Sequence, residues 1–358
     1  MEIMANARRG RGIESMADLA AQVIADPSEA RGLLALCPVA APTPLLNMPG
    51  LAAKIGVGQM HIKDESNRMG LGSFKALGAV HALAHMAVQR AGVESTELES
   101  ALDSEVFVCA SAGNHGLSVA AGARLFGARA VVYISDAVPE AFADRLRERG
   151  AEVVREGNGY EESMAASVAA AQDRNWTLLS DSSWPGYNEL PARVMEGYLI
   201  AGSEVVEEIP EIPSHVFLQA GVGGFAAAMS ALLREVWGTG PTIIVVEPDA
   251  ARCLADSVAA GEPVESPGPV SAMGRLDCKE ASHLALARLA IDADFFVTVS
   301  DGEAEEAVQL AREHGVATTP SGAAGLAAAM VPKSALGLTG SSHGLVFVTE
   351  GPEQMGGS

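Results

Sequence analysis

From Phe107 onward the chain alternates short apolar, β-prone runs with Ala-rich stretches whose apolar positions recur at helical spacing. EVFVCA precedes SAGNHGLSVAAGARLFG, ARAVVYI precedes PEAFADRLRERG, and AEVVREG precedes YEESMAASVAAAQDRN. A second set pairs HVFLQA with FAAAMSALLREVWG, TIIVVEP with ARCLADSVAAG, and FFVTVS with GEAEEAVQLAREHG, before a last run, GLVFVTEG. Each pair predicts a strand followed by a helix, so the expected fold class is α/β, with parallel-rich sheets covered by helices on both faces. Such sheets bind ligands at the carboxyl ends of their strands, which places the expected chemistry in the loops that follow them. The segment 181–191, with SWPGY inside it, separates the two sets and is placed to carry the chain between two lobes.

Composition narrows the picture. A chain of 358 residues is long for one core, so two lobes with a cleft are expected. No apolar run approaches the roughly 20 residues of a membrane span, so no membrane partner is expected. The net charge of -21, from 45 acidic and 24 basic residues, repels nucleic acid and anionic lipid. Cys37, Cys109, Cys253 and Cys278 lie far apart without metal-ligand spacing, which predicts reduced thiols and no metal site. The first residues carry no apolar run with a cleavage site after it, so a cytoplasmic location is expected.

Five segments carry candidate chemistry. HIKDESNRMGLGSFKALGAVHALAHMA reads as a strand, a polar loop and a helix opening near Ser73, with Lys75 in its first turn. The helix dipole there disfavours an ammonium, and a neutral amine is a nucleophile; the alternative is an ordinary solvated lysine. SAGNHG, Ser111 to Gly116, follows a strand and opens a helix, so it is either an anion-binding loop in which Asn114 bonds a phenolate or carboxylate, or a plain Gly turn. QAGVGG is likewise a phosphate cradle or a tight turn. In PSGAAGLAA and FVTEG, Ser321 or Thr349 can bond a pyridine nitrogen without ionising it, or serve as a cap and a strand end.

Taken in order, KDESNRMGLGSFKALGA, SAGNHG, DSSWPGYNELP, QAGVGG, PSGAAGLAA and FVTEG resemble the fold-type II pyridoxal-phosphate enzymes, whose architecture is that of the tryptophan synthase β chain. The likeness runs from Leu36 to Gly351, and residues 1–74 with 186–358 are expected to form the large cofactor-binding domain and 75–185 the small one. It implies Lys75 as the lysine that holds pyridoxal 5′-phosphate, Asn114 at the cofactor's O3′, Gly221, Val222, Gly223 and Gly224 around the phosphate, and Thr349 near the pyridine nitrogen.

Within that superfamily KDES followed by FK, DSSWPGYNELP and HVFLQAGVGG are most similar to diaminopropionate ammonia-lyases, with threonine and serine dehydratases next. This implies β-elimination from an amino-acid substrate to a 2-oxo acid and ammonia, with Lys75 or Asp181 moving the α proton. Ser73, Ser111, Ala112 and Asp64 are the implied substrate-side residues, and Asp64 and Asp181 the candidate acids for a leaving amine. Ala112 stands where these lyases carry an aspartate associated with the D isomer, so the resemblance points to an L-amino acid, diaminopropionate or another. A β-replacement synthase or a racemase shares the same cofactor residues. Enzymes of this kind are commonly homodimers, so a homodimer is expected.

Overall fold

The computed structural model describes residues 1–37, 39–93, 95–330 and 333–352. Eleven strands among the described residues form two sheets. The larger takes β1 (Glu2–Ala5), β2 (Leu45–Asn47), β3 (Gln59–Asp64), β8 (His215–Gln219), β9 (Thr242–Pro248), β10 (Phe295–Val299) and β11 (His343–Val348), in the order β1-β10-β9-β8-β11-β3-β2. Its five central strands are parallel, and the edges β1 and β2 run antiparallel to their neighbours. The smaller sheet, β6-β5-β4-β7, is parallel throughout and uses one stretch of sequence: β4 (Val106–Ala110), β5 (Arg129–Ile134), β6 (Glu152–Arg155) and β7 (Thr177–Leu178).

This is the expected α/β architecture, and its cause is visible strand by strand. HVFLQ and HGLVFV are buried at every position because helices cover both faces of a parallel sheet. The apolar rhythm did not foresee β1 and β2. They are four and three residues long, partly exposed, and owe their conformation to a neighbour's edge rather than to their own pattern. Segment 181–191 leads from β7 in the small sheet to the helix Glu189–Glu208.

Three helices join the two sheets. The helix Lys75–Ala91 lies between Asn114–Leu125 on one side and Glu189–Glu208 on the other. The approach to the second is close enough that a Cβ on Gly197 would stand 2.4 Å from the Leu77 carbonyl oxygen, so only glycine fits there.

The loop between β3 and Lys75 is held by charges rather than apolar contact. Arg68 Nη2 pairs with Glu65 Oε1 and Glu204 Oε2, both at 2.7 Å, and Lys63 Nζ lies 2.7 Å from the same Glu204 oxygen. Thr43 donates to Glu65 at 2.6 Å, and its carbonyl accepts from Lys63 at 2.6 Å. All five residues are buried. Arg68 is thus committed to the carboxylates of Glu65 and Glu204. Two cations and two anions balance one another and staple the loop to the helix that carries Glu204.

A second buried carboxylate, Glu247 at the end of β9, accepts the N–H groups of Leu254 (2.8 Å) and Ala255 (2.9 Å) in the first turn of the helix Cys253–Ala260. Burial pushes this carboxyl up to about 8 from an ordinary 4.5, against the pull of those two N–H groups. The unfolded chain releases the proton near 4.5 and the folded one near 8, so this contribution to stability is full below 4.5 and declines as pH rises through about 8. In denaturant unfolding from pH 5 to 9, Glu247→Gln is expected to flatten that decline; an unchanged slope would count against it.

Candidate active site

Four loops meet at the carboxyl ends of the parallel strands. The Lys75 loop is laid against the end of β11: Phe74 N donates to Thr349 O (3.1 Å), Gly351 N donates to Gly72 O (3.0 Å), and Ser73 forms an isolated antiparallel bridge with Glu350. Lys75 is the first residue of its helix, with Phe74 as the cap residue and no side-chain cap. Ser73 thus does not cap; its hydroxyl is buried and has no hydrogen-bond partner among the described residues.

Lys75 Nζ donates to Asp181 Oδ2, and the two form an ion pair. Burial disfavours the ammonium, but the Asp181 carboxylate and the nearby Tyr198 outweigh it, and the Lys75 pKa is raised well above its usual value. The expected neutral amine is thus reversed, because an opposite charge in contact exceeds a helix dipole. Asp181 responds in kind. Burial alone raises its pKa, while the Lys75 ammonium above all lowers it further than burial raises it, so the carboxyl is ionised.

Asp181 is also tied to the glycine loop. A Cβ on Gly224 would lie 3.7 Å from the Asp181 carbonyl oxygen, Ser282 N donates to Val222 O (3.0 Å), and the Ser183 and Ser282 hydroxyls are 2.8 Å apart. Gly223 has φ +98°, a left-handed conformation that turns the chain from β8 into the helix Gly224–Trp237. That helix has no side-chain cap, so its first N–H groups are open to an anion. Gly221 is confined from behind, where a Cβ would meet Cys278 Sγ at 2.9 Å.

The SAGNHG loop faces this cradle. Gly113, not Ser111, is the cap residue of Asn114–Leu125, and Ser111 Oγ accepts from Gly113 N at 3.3 Å. Asn114 Nδ2 donates to Glu350 Oε2 at 2.5 Å, which leaves its second N–H for another acceptor. Ala112 is partly buried and packs on the core. His115 Nε2 donates to the Leu179 carbonyl oxygen at 2.8 Å, a bond that reaches 64 residues along the chain rather than within its own turn. Burial lowers its pKa, so His115 is a neutral imidazole protonated at Nε2.

Thr349 Oγ1 accepts from Gln219 Nε2 at 3.1 Å, and Ser321 Oγ accepts from Arg275 N at 3.2 Å, so each keeps its hydroxyl hydrogen for an acceptor such as a ring nitrogen. Thr319, rather than Ser321, caps the helix Pro320–Ala329. Asp64 accepts from Ser66 N at 3.0 Å and tightens the loop after β3. The sequence did not single out Glu350 or Arg275. Glu350 lay inside FVTEG, where attention fell on the hydroxyl beside it, and Arg275 lies in a Gly/Pro-containing segment without regular pattern. His81 and His85 are taken by Glu196 and Glu29, and no metal-binding group is found among the described residues.

The donor set fits pyridoxal phosphate. An amine stands at one end, an uncapped helix N-terminus with a buried, unpartnered Ser73 hydroxyl at another, an amide with a spare N–H on the facing loop, and hydroxyl donors at the strand end. No helix of the described residues is long and apolar enough to cross a membrane.

Comparison with known proteins agrees. The diaminopropionate ammonia-lyase of Salmonella typhimurium is 34% identical over 277 residues, which cover 72% of this chain and 69% of that one. The crystal structure of the Escherichia coli diaminopropionate ammonia-lyase in complex with D-serine superposes with a TM-score of 0.87 at 28% identity, covering 98% of this chain and 93% of that one. Maize serine racemase shares the fold, with a TM-score of 0.76 at 22% identity over 92% and 94% of the two chains. A family model described as pyridoxal-phosphate dependent enzyme matches residues 36–350, and the chain belongs to that family.

Proposed function

We propose that the protein is an ammonia-lyase that removes the α proton and a β substituent from an L-amino acid, with a 2-oxo acid and ammonia as products. The observation that carries this reading is the Lys75–Asp181 pair at the meeting point of the glycine loop and the Asn114 loop. The 34% identity to a diaminopropionate ammonia-lyase supports it.

Pyridoxal phosphate, when bound, supplies an electrophilic carbon for amines and a ring that draws electrons from the substrate's α carbon. In this reading Lys75 Nζ holds the cofactor, while the N–H groups from Gly221 to Gly224 and the Ser73 hydroxyl hold its phosphate. Asn114 bonds the phenolic oxygen with its spare N–H, and Thr349 offers a neutral donor to the ring nitrogen. Asp181 takes the proton that Lys75 must lose to become a nucleophile or base, and returns a proton to a departing amine or hydroxyl. Ser111 and the backbone beside Ala112 and Asn114 face the substrate carboxylate, and Asp64 shapes the loop from β3. Residues 75–185 form the lobe that closes on the cofactor lobe made of 1–74 and 186–358. A cytoplasmic homodimer completes the proposal, with light scattering as the check on the dimer.

Ala112 favours a second reading, a dehydratase of L-serine or L-threonine, because SAGNHG lacks the aspartate of the diaminopropionate ammonia-lyase motif. Holoenzyme incubated with L- and D-2,3-diaminopropionate, L-serine and L-threonine decides between them. Two ammonia per 2-oxo acid from the L-diamine supports the first, one per 2-oxo acid from serine or threonine supports the second, and no ammonia from any of them overturns both. Asp181→Asn is expected to lower kcat about 10²–10⁴-fold on whichever substrate turns over, with less change in KM. Parallel loss of kcat and cofactor binding would instead give Asp181 a structural role.

A further inference from the structure

A phenol lies buried beside Lys75 without a partner of its own. Tyr198, in the middle of the helix Glu189–Glu208, is 1% exposed, and its hydroxyl makes no hydrogen bond among the described residues. Its ring is clamped from several sides. On the helix that Lys75 opens, a Cβ on Gly78 would stand 2.5 Å from Tyr198 Cε1, and on the helix after the glycine loop the Cβ position of Gly224 is 3.9 Å from Cε2. Phe74 and Phe225 meet the ring edge to face, with centroids 4.9 and 6.3 Å away. A ring held in this way gives its hydroxyl a fixed place.

That place is next to the nitrogen on which the reading above depends. Lys75 Nζ lies 5.8 Å from the Tyr198 ring centroid and 5.4 Å from that of Phe74. Burial raises the Tyr198 pKa, Lys75 lowers it and Asp181 raises it, and the net value is above the ordinary one, so the phenol is neutral. The other titratable groups around Lys75 are Asp181, Cys278, His115 and the exposed Tyr160. Asp181 accepts one of the three ammonium hydrogens of Lys75, and no second acceptor for Nζ is engaged among the described residues. A buried hydroxyl without a partner costs folding free energy, and phenylalanine fills the same space without that cost.

We propose that Tyr198 is a positioning residue for Lys75, its hydroxyl oxygen accepting an N–H from Nζ once Lys75 stands free as an amine. The inference deepens the reading above and rests on it for the role of Lys75. When Asp181 takes a proton from the ammonium, two hydrogens and one lone pair remain on Nζ. One hydrogen goes to the Tyr198 oxygen, and the lone pair is left for the α proton or for the cofactor's electrophilic carbon. The phenol keeps its own proton throughout and carries no charge at any stage. Lysine has a flexible four-carbon stem, so a fixed anchor on its nitrogen narrows the positions from which it attacks.

Tyr198→Phe keeps the ring and removes only the oxygen, so its melting temperature is expected to match or exceed that of the wild type. The first readout needs no turnover. Holoenzyme is mixed with L-alanine, which takes the place of Lys75 on the cofactor and has no β leaving group, and is then diluted into alanine-free buffer. The return of the original visible band reports attack by Nζ, and it is expected to be roughly 10-fold slower in Tyr198→Phe. On a substrate that turns over, kcat is expected to fall by a similar factor with KM little changed, while the effect of deuterium at the α carbon on kcat rises. A return rate and an isotope effect equal to those of the wild type overturn the proposal. So does a slower return that comes with a lower melting temperature or weaker cofactor binding, which makes the hydroxyl structural. If no substrate releases ammonia, the lyase reading falls and the return rate alone decides the place of Tyr198.

Discussion

In Lys75→Ala purified with pyridoxal phosphate, the visible band of covalently held cofactor disappears and ammonia release falls by at least about 10³-fold. The effect is large because in the proposed mechanism Nζ both binds the cofactor and moves the α proton, while the other lysine at the end of those strands, Lys63, is held by Glu204 and the Thr43 carbonyl. The substitution also strands Asp181, whose ionised carboxylate sits in the cleft against Lys75. The variant is therefore expected to melt below the wild type at neutral pH, while Lys75→Ala with Asp181→Asn recovers most of the loss without recovering activity. A single variant that keeps the band assigns the cofactor to another amine and overturns the site.

Arg68→Ala is expected to have the largest effect on stability. It leaves Glu65 and Glu204 buried with only Lys63 to answer two carboxylates, and breaking one partner out of such a cluster costs about 3–5 kcal/mol. For a chain of this size that is a fall in Tm of roughly 5–10 °C, measurable by calorimetry or dye-monitored melting. Burial raises the Glu204 pKa, but Arg68 and Lys63 lower it further, to a net value below its ordinary one. Its contribution is thus full at neutral pH and is lost as acid protonates it. Because the cluster fixes the loop that ends at Lys75, the folded variant is also expected to bind cofactor more weakly. An unchanged Tm would mean that the four charges are solvated in solution.

HVFLQ and HGLVFV were legible because strands buried on both faces consist of nearly unbroken apolar runs. β1 and β2 were not, since an edge strand of three or four residues borrows its order from its neighbour. Lys75, Asn114 and the glycine loop were legible because each follows a strand and opens a helix, a local arrangement that sequence displays. What sequence hid is contact across long separations. Glu350 meets Asn114 from 236 residues away, Glu204 meets Arg68 from 136, and Asp181 meets Lys75 from 106, which turned an expected neutral amine into an ammonium. Arg275 has neither a regular element nor a motif around it, and its approach to Gly113 is set by the fold alone.

Strand β11 lies between β8 and β3, and the Lys75 loop leans on the residues that follow it. During synthesis the large sheet therefore remains in two halves until residue 348 has cleared the ribosome, although Lys75 has long since emerged. The small sheet draws on residues 106–178 alone and is free to form as it appears. In the proposed reading, cofactor capture at Lys75 therefore waits for β11. The lysine of the proposed mechanism is made well before the strand against which its loop is laid.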